Sequence, residues 1–283
     1  MTDEMLNSCG EVDLSGFETR LRQEEKSAIT IKKYMRDLKR FVAFAGGREL
    51  NKELLLSWKE QLVQHGYAVR SVNSMLASVN AYYKYAGLAA HQVRCLRLQR
   101  QIFAPKDREL TRSDYDRLLD AAKRQPRLRL VLQTICSTGI RVSELQYFTV
   151  EAVRSGEVVV SCKNKNRVIL LPGKLKKQLL AYCGTRRITD GIIFRTRGGK
   201  PLDRSNIWTQ MKKLCQKAGV AAGKVFPHNL RRLFARCFYK VEHDIVKLAD
   251  VLGHSSINTT RIYLIATAVE HQKLLDRMCL LRE

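Results

Sequence analysis

The segment FPHNLRRLFARCFYK, residues 226–240, begins a run of motifs that decides the fold of this chain. Pro227 suits the first turn of a helix. The apolar residues that follow recur at the spacing of one buried helical face: Leu230, Leu233, Phe234 and Cys237. His228 and Arg231 are three residues apart, which places both side chains at the edge of that face. Such a pair alone is more often part of an ordinary surface than of a reactive site.

The next segment, DIVKLADVLGHSSINTTRIY at residues 244–263, shows the same pattern of an apolar helical face with a histidine beside it. An apolar periodic run ends at Gly253, so His254 is expected just beyond the end of a helix. His254 comes 23 residues after Arg231, and Tyr263 comes nine residues after His254. The tyrosine is either an ordinary core residue or a reactive group.

A third motif, TGIRVSEL at residues 138–145, lies upstream of these two. Arg141 and Glu144 are three residues apart at the start of a predicted helix, directly after a glycine turn. On its own this pair predicts no more than a surface ion pair.

The segment EVVVSCKNKNRVILLP, residues 157–172, contains two short β-branched runs around KNKN and predicts a β-hairpin. The rest of the chain predicts helices, so the fold is expected to be mainly α with a small β-hairpin. We expect the basic residues Lys165 and Arg167 of the hairpin to contact nucleic acid.

Lysine and arginine outnumber aspartate and glutamate by 51 to 27, for a formal net charge of +24. Residues 104–283 carry +19 of this charge and residues 1–103 carry +5. A protein this basic repels itself unless it meets a polyanion, usually nucleic acid. An anionic membrane surface is the alternative, but the sequence shows no basic amphipathic anchor and no apolar run of about 20 residues. We therefore expect nucleic acid and no membrane.

The spacing of the eight cysteines and the composition of the N-terminus argue against a metal-binding protein and a secreted protein. No two cysteines lie within 20 residues of each other, so no CxxC pair is present, and we expect neither a structural metal nor a metal site. The acidic N-terminus lacks the apolar core of a secretory signal, which predicts a cytoplasmic protein.

Residues 27–47, 51–66 and 68–88 each show the periodicity of an amphipathic helix, and together they predict a small helical domain with a basic surface. Its candidate DNA contacts are Lys32, Lys33, Arg36, Arg70 and Lys84. The periodicity breaks around Pro105, the best candidate for a linker. The predicted division is a flexible leader at 1–15, the helical domain at 16–99, the linker at 100–109 and a second domain at 110–283.

In this order and spacing, TGIRVSEL, HNLRR, LGH and TTRIY resemble the catalytic domain of the tyrosine recombinase (phage integrase) family over roughly residues 107–270. The basic helical segment resembles that family's SAM-like core-binding domain. The resemblance implies an α+β catalytic domain and a two-domain protein close to the Xer-like recombinases. It also implies a tetramer on paired sites in double-stranded DNA, associated with the nucleoid.

The resemblance also implies a role for each motif residue. Tyr263 would attack a DNA phosphodiester to form a 3′-phosphotyrosine, and Glu144 would brace Arg141. The other catalytic residues would be Arg141, His228, Arg231, His254 and a lysine on the hairpin turn. Lys163 is the first choice for this lysine and Lys165 the alternative, because SCKNKNRVILLP is one residue shorter than the family pattern GKGxKxRxVPL. Transesterification conserves the phosphodiester bond energy, so no cofactor, ATP or metal is expected.

Two alternatives and one structural question stay open at this point. A type IB topoisomerase shares the tyrosine and the arginines, and a non-cleaving DNA-binding protein could retain the fold. The segment VEHQKLLDRMCLL, residues 269–281, predicts a C-terminal helix that packs either on its own subunit or in a groove of a neighbour.

Overall fold

The computed structural model describes residues 12–97, 109–162 and 165–265, together with 272 and 276–278 near the C-terminus. The chain divides into two compact units, residues 1–100 and 101–283. Most of the predicted leader and linker, and most of the predicted C-terminal helix, lie outside the described residues. Lys163 and the side chain of Lys165 also lie outside them.

The first unit is helical throughout its described elements. These are α1 (Leu14–Gln23), α2 (Ala28–Ala45), α3 (Lys52–Gln64), α4 (Val69–Tyr85) and a short 3-10 turn (Ala89–His91). Side chains of Asp13, Ser27 and Asn51 accept hydrogen bonds from the first-turn amides of α1, α2 and α3. The apolar faces of these helices enclose a core that includes Leu38, Phe41, Leu55, Leu76 and Tyr83.

The second unit combines helices with one antiparallel hairpin. Its elements are α5 (Arg112–Ala121), α6 (Pro126–Thr138), a 3-10 helix (Val142–Tyr147), α7 (Val150–Ser155), β1 (Glu157–Cys162), β2 (Lys165–Leu170), α8 (Gly173–Arg186), α9 (Arg204–Ala218), a 3-10 turn (Ala222–Lys224), α10 (Pro227–Glu242), α11 (Ile245–Leu252) and α12 (Ile257–Arg261). The prediction of a mainly α fold with a small hairpin is confirmed.

Sequence signals account for most of these boundaries. Thr111 and Asp114 form a capping box at the start of α5. Pro126 and Pro227 occupy the first position of α6 and α10, where a missing backbone N–H costs nothing. Gly139 and Gly253 end α6 and α11 in the left-handed conformation, with φ of 65° and 64°.

The hairpin register places Cys162 opposite Lys165 and Val160 opposite Arg167. Side chains alternate between the two faces of a strand, so Val158, Val160 and Ile169 enter the core of the second unit. Val159 and Val168, which are paired across the strands, remain exposed. This register turns the side chain of Arg167 to the inner face.

Two details differ from the sequence-based expectation. Cys237 is exposed instead of belonging to the buried face of α10, because the shared core of α10 ends near Leu233 and Ala235. The helix predicted from Arg141 onward is a 3-10 helix, which begins at Val142.

Within the part of the chain that the structure describes, we find no helix of the length and apolarity that a membrane crossing requires.

Candidate active site

Arg231 is the most deeply buried cation among the described residues of the second unit, with 1% of its surface exposed. Its Nη1 donates to the backbone oxygen of Gly139 at 2.5 Å, and its Nη2 donates to the backbone oxygen of Leu252 at 2.6 Å. The side chain on α10 is therefore fixed by the last residues of α6 and α11. The sequence placed Arg231 at the edge of a helix face, and the structure makes it part of the interior.

One donor of this buried guanidinium remains available. Arg231 Nε lies out of contact with water and has no hydrogen-bond partner among the described residues. Burial, and next the nearby Arg141 cation, lower the pKa of Arg231 to about 10. The group still carries its charge at neutral pH, so the site holds a buried cation with an unused donor. A buried unpaired donor is costly, and an anionic ligand would satisfy it.

The Tyr263 ring contacts both of the histidines that the sequence singled out. Its ring centroid is 5.0 Å from that of His228 and 5.2 Å from that of His254, and the His254 ring stacks nearly parallel to it at 21°. The Arg231 Cζ atom is 6.0 Å from the centre of the tyrosine ring. Tyr263 is 5% exposed, and it belongs to a small core with Ala235, Leu248 and Leu252.

The contacts of His254 determine which of its nitrogens carries the proton. Arg231 Nη2 is 3.0 Å from His254 Nε2, and a guanidinium can only donate, so Nε2 accepts. The ring proton is then on Nδ1, which donates to Thr260 Oγ1 at 2.9 Å. Burial, followed by the Arg231 and Arg141 cations, lowers the pKa of His254 to about 4. His254 is therefore neutral at pH 7.

His228 differs from His254 in exposure. Burial of its ring, and next the Arg231 cation, lower the pKa of His228 below its ordinary value, although part of the side chain remains exposed to solvent. Arg232, Arg141 and Arg204 also act on it. The ring therefore keeps a neutral nitrogen that both solvent and a ligand can reach.

Arg141 and Glu144 form the pair that their spacing predicted. Arg141 Nη1 is 3.0 Å from Glu144 Oε1, and the Arg141 backbone N–H donates to Glu144 Oε2 at 2.8 Å. The Glu144 side chain is 3% exposed and that of Arg141 is 41% exposed. The carboxylate is thus buried under an arginine that still faces solvent.

Arg167 also belongs to this cluster. Its Nη2 donates to Glu144 Oε2 at 2.5 Å, its Nη1 donates to the backbone oxygen of Val251 at 2.8 Å, and its side chain is 13% exposed. The sequence assigned Arg167 to nucleic acid binding, but the structure places its guanidinium against other parts of the site. Lys163 and the side chain of Lys165 lie outside the described residues.

The predicted DNA contacts of the first unit have different surroundings. Lys32, Arg70 and Lys84 are exposed. Lys33 is turned inward, because its Nζ lies 3.0 Å from Asp37 Oδ2 and 2.7 Å from the Ser74 carbonyl oxygen. Arg36 remains largely exposed while its Nη2 contacts Asp37 Oδ1 at 3.0 Å.

Sequence reasoning missed three residues of the second unit. Thr260 is fully buried and is the partner of His254, and Arg232 lies close enough to Tyr263 for the two groups to interact electrostatically. Arg204, at the start of α9, acts on His228. Only the fold brings Arg204 near His228, whereas Arg232 could have been found from its place next to Arg231. The six-residue spacing from His254 to Thr260 matches no helical period, and the residues between them form no strand.

The cluster carries more positive than negative charge, because five arginines act on two histidines of lowered pKa and one carboxylate: Arg141, Arg167, Arg204, Arg231 and Arg232. Such an arrangement suits a phosphate group. Across the described residues, no three His, Cys, Asp or Glu side chains come together as a metal site would require.

Comparison with known families gives two matches. Residues 108–270 match the phage integrase family, and residues 14–89 match the phage integrase N-terminal SAM-like domain. The chain is 34% identical over 265 residues to tyrosine recombinase XerA of Thermococcus kodakarensis, with 90% of each chain covered. It is 30% identical over 255 residues to tyrosine recombinase XerD of Pseudomonas aeruginosa, with 81% of this chain and 84% of the relative covered.

Solved structures agree on the fold. A lambda integrase dimer bound to a COC′ core site superimposes with a TM-score of 0.72 at 18% identity, covering 88% of this chain and 75% of that one. XerH bound to its difH substrate gives a TM-score of 0.66 at 18% identity, covering 92% of this chain and 83% of that one. At these identities the likeness establishes a shared architecture.

Proposed function

The chain belongs to the phage integrase family and is a site-specific tyrosine recombinase, and on that premise we propose that Tyr263 is the nucleophile that cuts double-stranded DNA. The tyrosine oxygen attacks a phosphodiester, a 3′-phosphotyrosine forms, and the 5′ oxygen leaves with a proton. A second DNA strand reverses these steps to restore the backbone. The number of phosphodiester bonds is conserved, so the reaction needs no ATP.

One observation carries this proposal more than any other. Tyr263 contacts both His228 and His254 and lies beside a buried arginine that has an unused donor. A core tyrosine needs no such neighbours. A phosphate oxygen that accepts from Arg231 Nε would satisfy that donor and lie next to the tyrosine ring.

We assign the two arginines to stabilisation of the transition state. Attack on phosphorus increases the negative charge on the non-bridging oxygens, and Arg231 and Arg141 supply donors that keep their protons. Removal of a donor of this type costs about 2.7–4 kcal/mol in comparable oxyanion sites. Glu144 orients Arg141 through the contact between their side chains.

We assign different roles to the two histidines. His254 accepts from Arg231 and is neutral, so it orients the arginine and the tyrosine ring. His228 is the better acceptor for the tyrosine proton, because its ring is exposed to solvent and makes no hydrogen bond with the described residues of the site.

We propose that Lys163 protonates the departing 5′ oxygen. The strands pair Cys162 with Lys165, so Lys163 and Asn164 are the residues between the paired ends. That position favours Lys163 over Lys165 for a reactive group at a hairpin turn.

We further propose that the protein works as a tetramer on paired DNA sites in the cytoplasm, associated with the nucleoid. Lys32, Arg36, Arg70, Lys84 and Lys165 are the candidate phosphate contacts in this proposal, and the net charge of +24 supports it. The segment 269–281 would dock on a neighbouring subunit. The same chemistry serves DNA integration, excision or resolution, according to how the sites are arranged.

Covalent trapping tests this function. The wild type and Tyr263→Phe are expressed in a host that carries the native DNA, the cells are lysed in SDS, and the ends of protein-linked DNA are sequenced. Tyr182→Phe, on α8, is the matched control. We expect adducts at one sequence with the wild type and Tyr182→Phe, and none with Tyr263→Phe. Adducts that persist in Tyr263→Phe would refute the assignment, and DNA binding without any adduct would indicate a non-cleaving protein.

A further inference from the structure

Arg167 on β2 joins two parts of the site that are far apart in sequence. One side of its guanidinium contacts Glu144, in the 3-10 helix, and the other side contacts the carbonyl of Val251 near the end of α11. These partners lie 23 and 84 residues from Arg167 along the chain. A planar guanidinium donates in fixed directions, so the two contacts set the spacing between these segments.

Glu144 is shared between two arginines. Its Oε1 pairs with Arg141 Nη1 at 3.0 Å, and its Oε2 accepts from Arg167 Nη2 at 2.5 Å. A buried carboxylate that loses one of its partners retains an incompletely compensated charge, which is strongly destabilising. The geometry of Arg141 therefore depends on Arg167 through the carboxylate.

The second contact of Arg167 is at the helix end that precedes His254. A Cβ atom added at Gly253 would lie 2.8 Å from Arg167 Cδ and 3.1 Å from its Nε. The glycine of LGH is thus required for two reasons, a left-handed φ of 64° and the close approach of Arg167. His254 follows immediately, with its amide bonded to the Ala249 carbonyl at 2.9 Å.

We propose that Arg167 is a positioning residue of the recombination reaction: it holds Glu144, and through it Arg141, at a fixed distance from the helix end that presents His254. The inference rests on the proposed function. A small displacement of reacting groups can cost about 100-fold in rate, so loss of this bridge should slow DNA cleavage without removing any group that touches the phosphate.

Two substitutions separate this role from a direct contact with DNA. Arg167→Ala removes both contacts. Arg167→Lys keeps the positive charge, but lysine lacks the planar guanidinium that donates to Glu144 and to the Val251 carbonyl at the same time. Arg127→Ala is the matched control, because Arg127 Nη1 donates to the Arg195 carbonyl at 2.9 Å elsewhere in the same unit. Single-turnover formation of the covalent adduct is measured alongside the Kd for the same DNA over a series of salt concentrations.

We expect both Arg167 variants to form the adduct at least about tenfold more slowly than the wild type, with Kd changed less than about threefold and an unchanged salt slope. Arg127→Ala should match the wild type. Normal cleavage by either Arg167 variant overturns the proposal. Weaker binding with a salt slope reduced by about one, restored by Arg167→Lys, also overturns it, because that pattern identifies a phosphate contact.

Hydrogen exchange in the free protein gives a readout that does not depend on catalysis. We expect Arg167→Ala to speed amide exchange at His254 at least about tenfold, while Val220, at the corresponding end of α9, exchanges as in the wild type. Equal acceleration at both amides would reveal a general loss of stability and overturn the proposal. A wild type without any Tyr263-dependent adduct would refute the proposed function, and the exchange at His254 would still show whether Arg167 holds the end of α11.

Discussion

At the scale of the residue, the protonation of His254 is set by its two neighbours. Arg231 can only donate to Nε2, so the proton is on Nδ1 and is directed at Thr260. A buried threonine thereby determines which nitrogen faces the arginine. This arrangement makes Thr260 a part of the site through His254, although in our proposal it does not contact the DNA.

Thr260→Val tests the importance of that hydroxyl. Valine keeps the shape but cannot accept, so His254 Nδ1–H loses its partner. We expect the free energy of unfolding to fall by about 1–3 kcal/mol and DNA cleavage to slow by at least about tenfold. Thr259→Val, on the exposed side of the same helix, is the control and should change stability by less than about 0.5 kcal/mol. Wild-type cleavage by Thr260→Val would contradict this role.

The lowered pKa of His254 predicts how stability depends on pH. The folded value is about 4 and the unfolded value is near 6.5. Between these pH values the unfolded chain binds a proton that the folded chain does not, so the free energy of unfolding decreases as the pH falls from about 6.5 towards 4. Above that range His254 contributes no pH dependence.

Urea denaturation at pH 7.5 and pH 5 measures this effect. The wild type should lose more stability between the two pH values than His254→Gln, because glutamine has no proton to gain. If the two proteins lose the same amount, His254 does not titrate in the way the structure indicates.

At the scale of the element, the ends of helices position the chemistry. α11 stops at Gly253 so that His254 can turn towards Tyr263, and α6 stops at Gly139, whose carbonyl accepts from Arg231. At Gly139 a Cβ atom would lie 2.4 Å from Phe234 Cδ1, so the glycine also allows α10 to approach. These two glycines determine where the arginine and the histidine meet.

Gly253→Ala tests the approach of Arg167 at one of these ends. The left-handed backbone costs alanine about 1–2 kcal/mol, and the added methyl group would displace Arg167 as well. Gly219→Ala, at the end of α9, is a matched control because its φ is 60° and nothing lies within 4 Å of the new atom. We expect Gly253→Ala to lose more stability than Gly219→Ala and to cleave DNA more slowly. Equal effects would mean that Arg167 moves aside at no cost.

Periodicity and capping signals predicted the helices and the site motifs, but they could not predict the interior contacts. Leu38, Phe41 and Leu76 recur as a helix face requires and are buried as expected. The inward side chain of Arg167 follows from the strand register, and the burial of Arg231 follows from the way α10 packs on α6. Both depend on contacts between residues distant in sequence, which no local pattern encodes.

At the scale of the whole molecule, the two units have separate cores. Phe41 and Phe148 are fully buried, each in the core of its own unit. We infer from this that each unit is stabilised by its own apolar contacts.

Phe41→Ala should therefore destabilise the first unit by about 3–5 kcal/mol and leave the second unchanged. Phe148→Ala should do the reverse. Hydrogen exchange at the core amides of each unit measures the two effects in one experiment. Equal loss of protection in both units after either substitution would show that they unfold together.

The anchoring of Arg231 has a consequence for how inactive descendants of such a protein would be recognised. Its guanidinium fastens α10 to the ends of α6 and α11, so its loss would damage the architecture together with the chemistry. The Tyr263 hydroxyl does not join helix ends in this way, and phenylalanine fills nearly the same space as tyrosine. The fold therefore depends less on this hydroxyl than on the Arg231 guanidinium. A lineage that abandons strand cleavage but keeps the folded protein should therefore lose the tyrosine and retain the arginine. Among homologous genomes, the tyrosine is accordingly the more informative marker of activity.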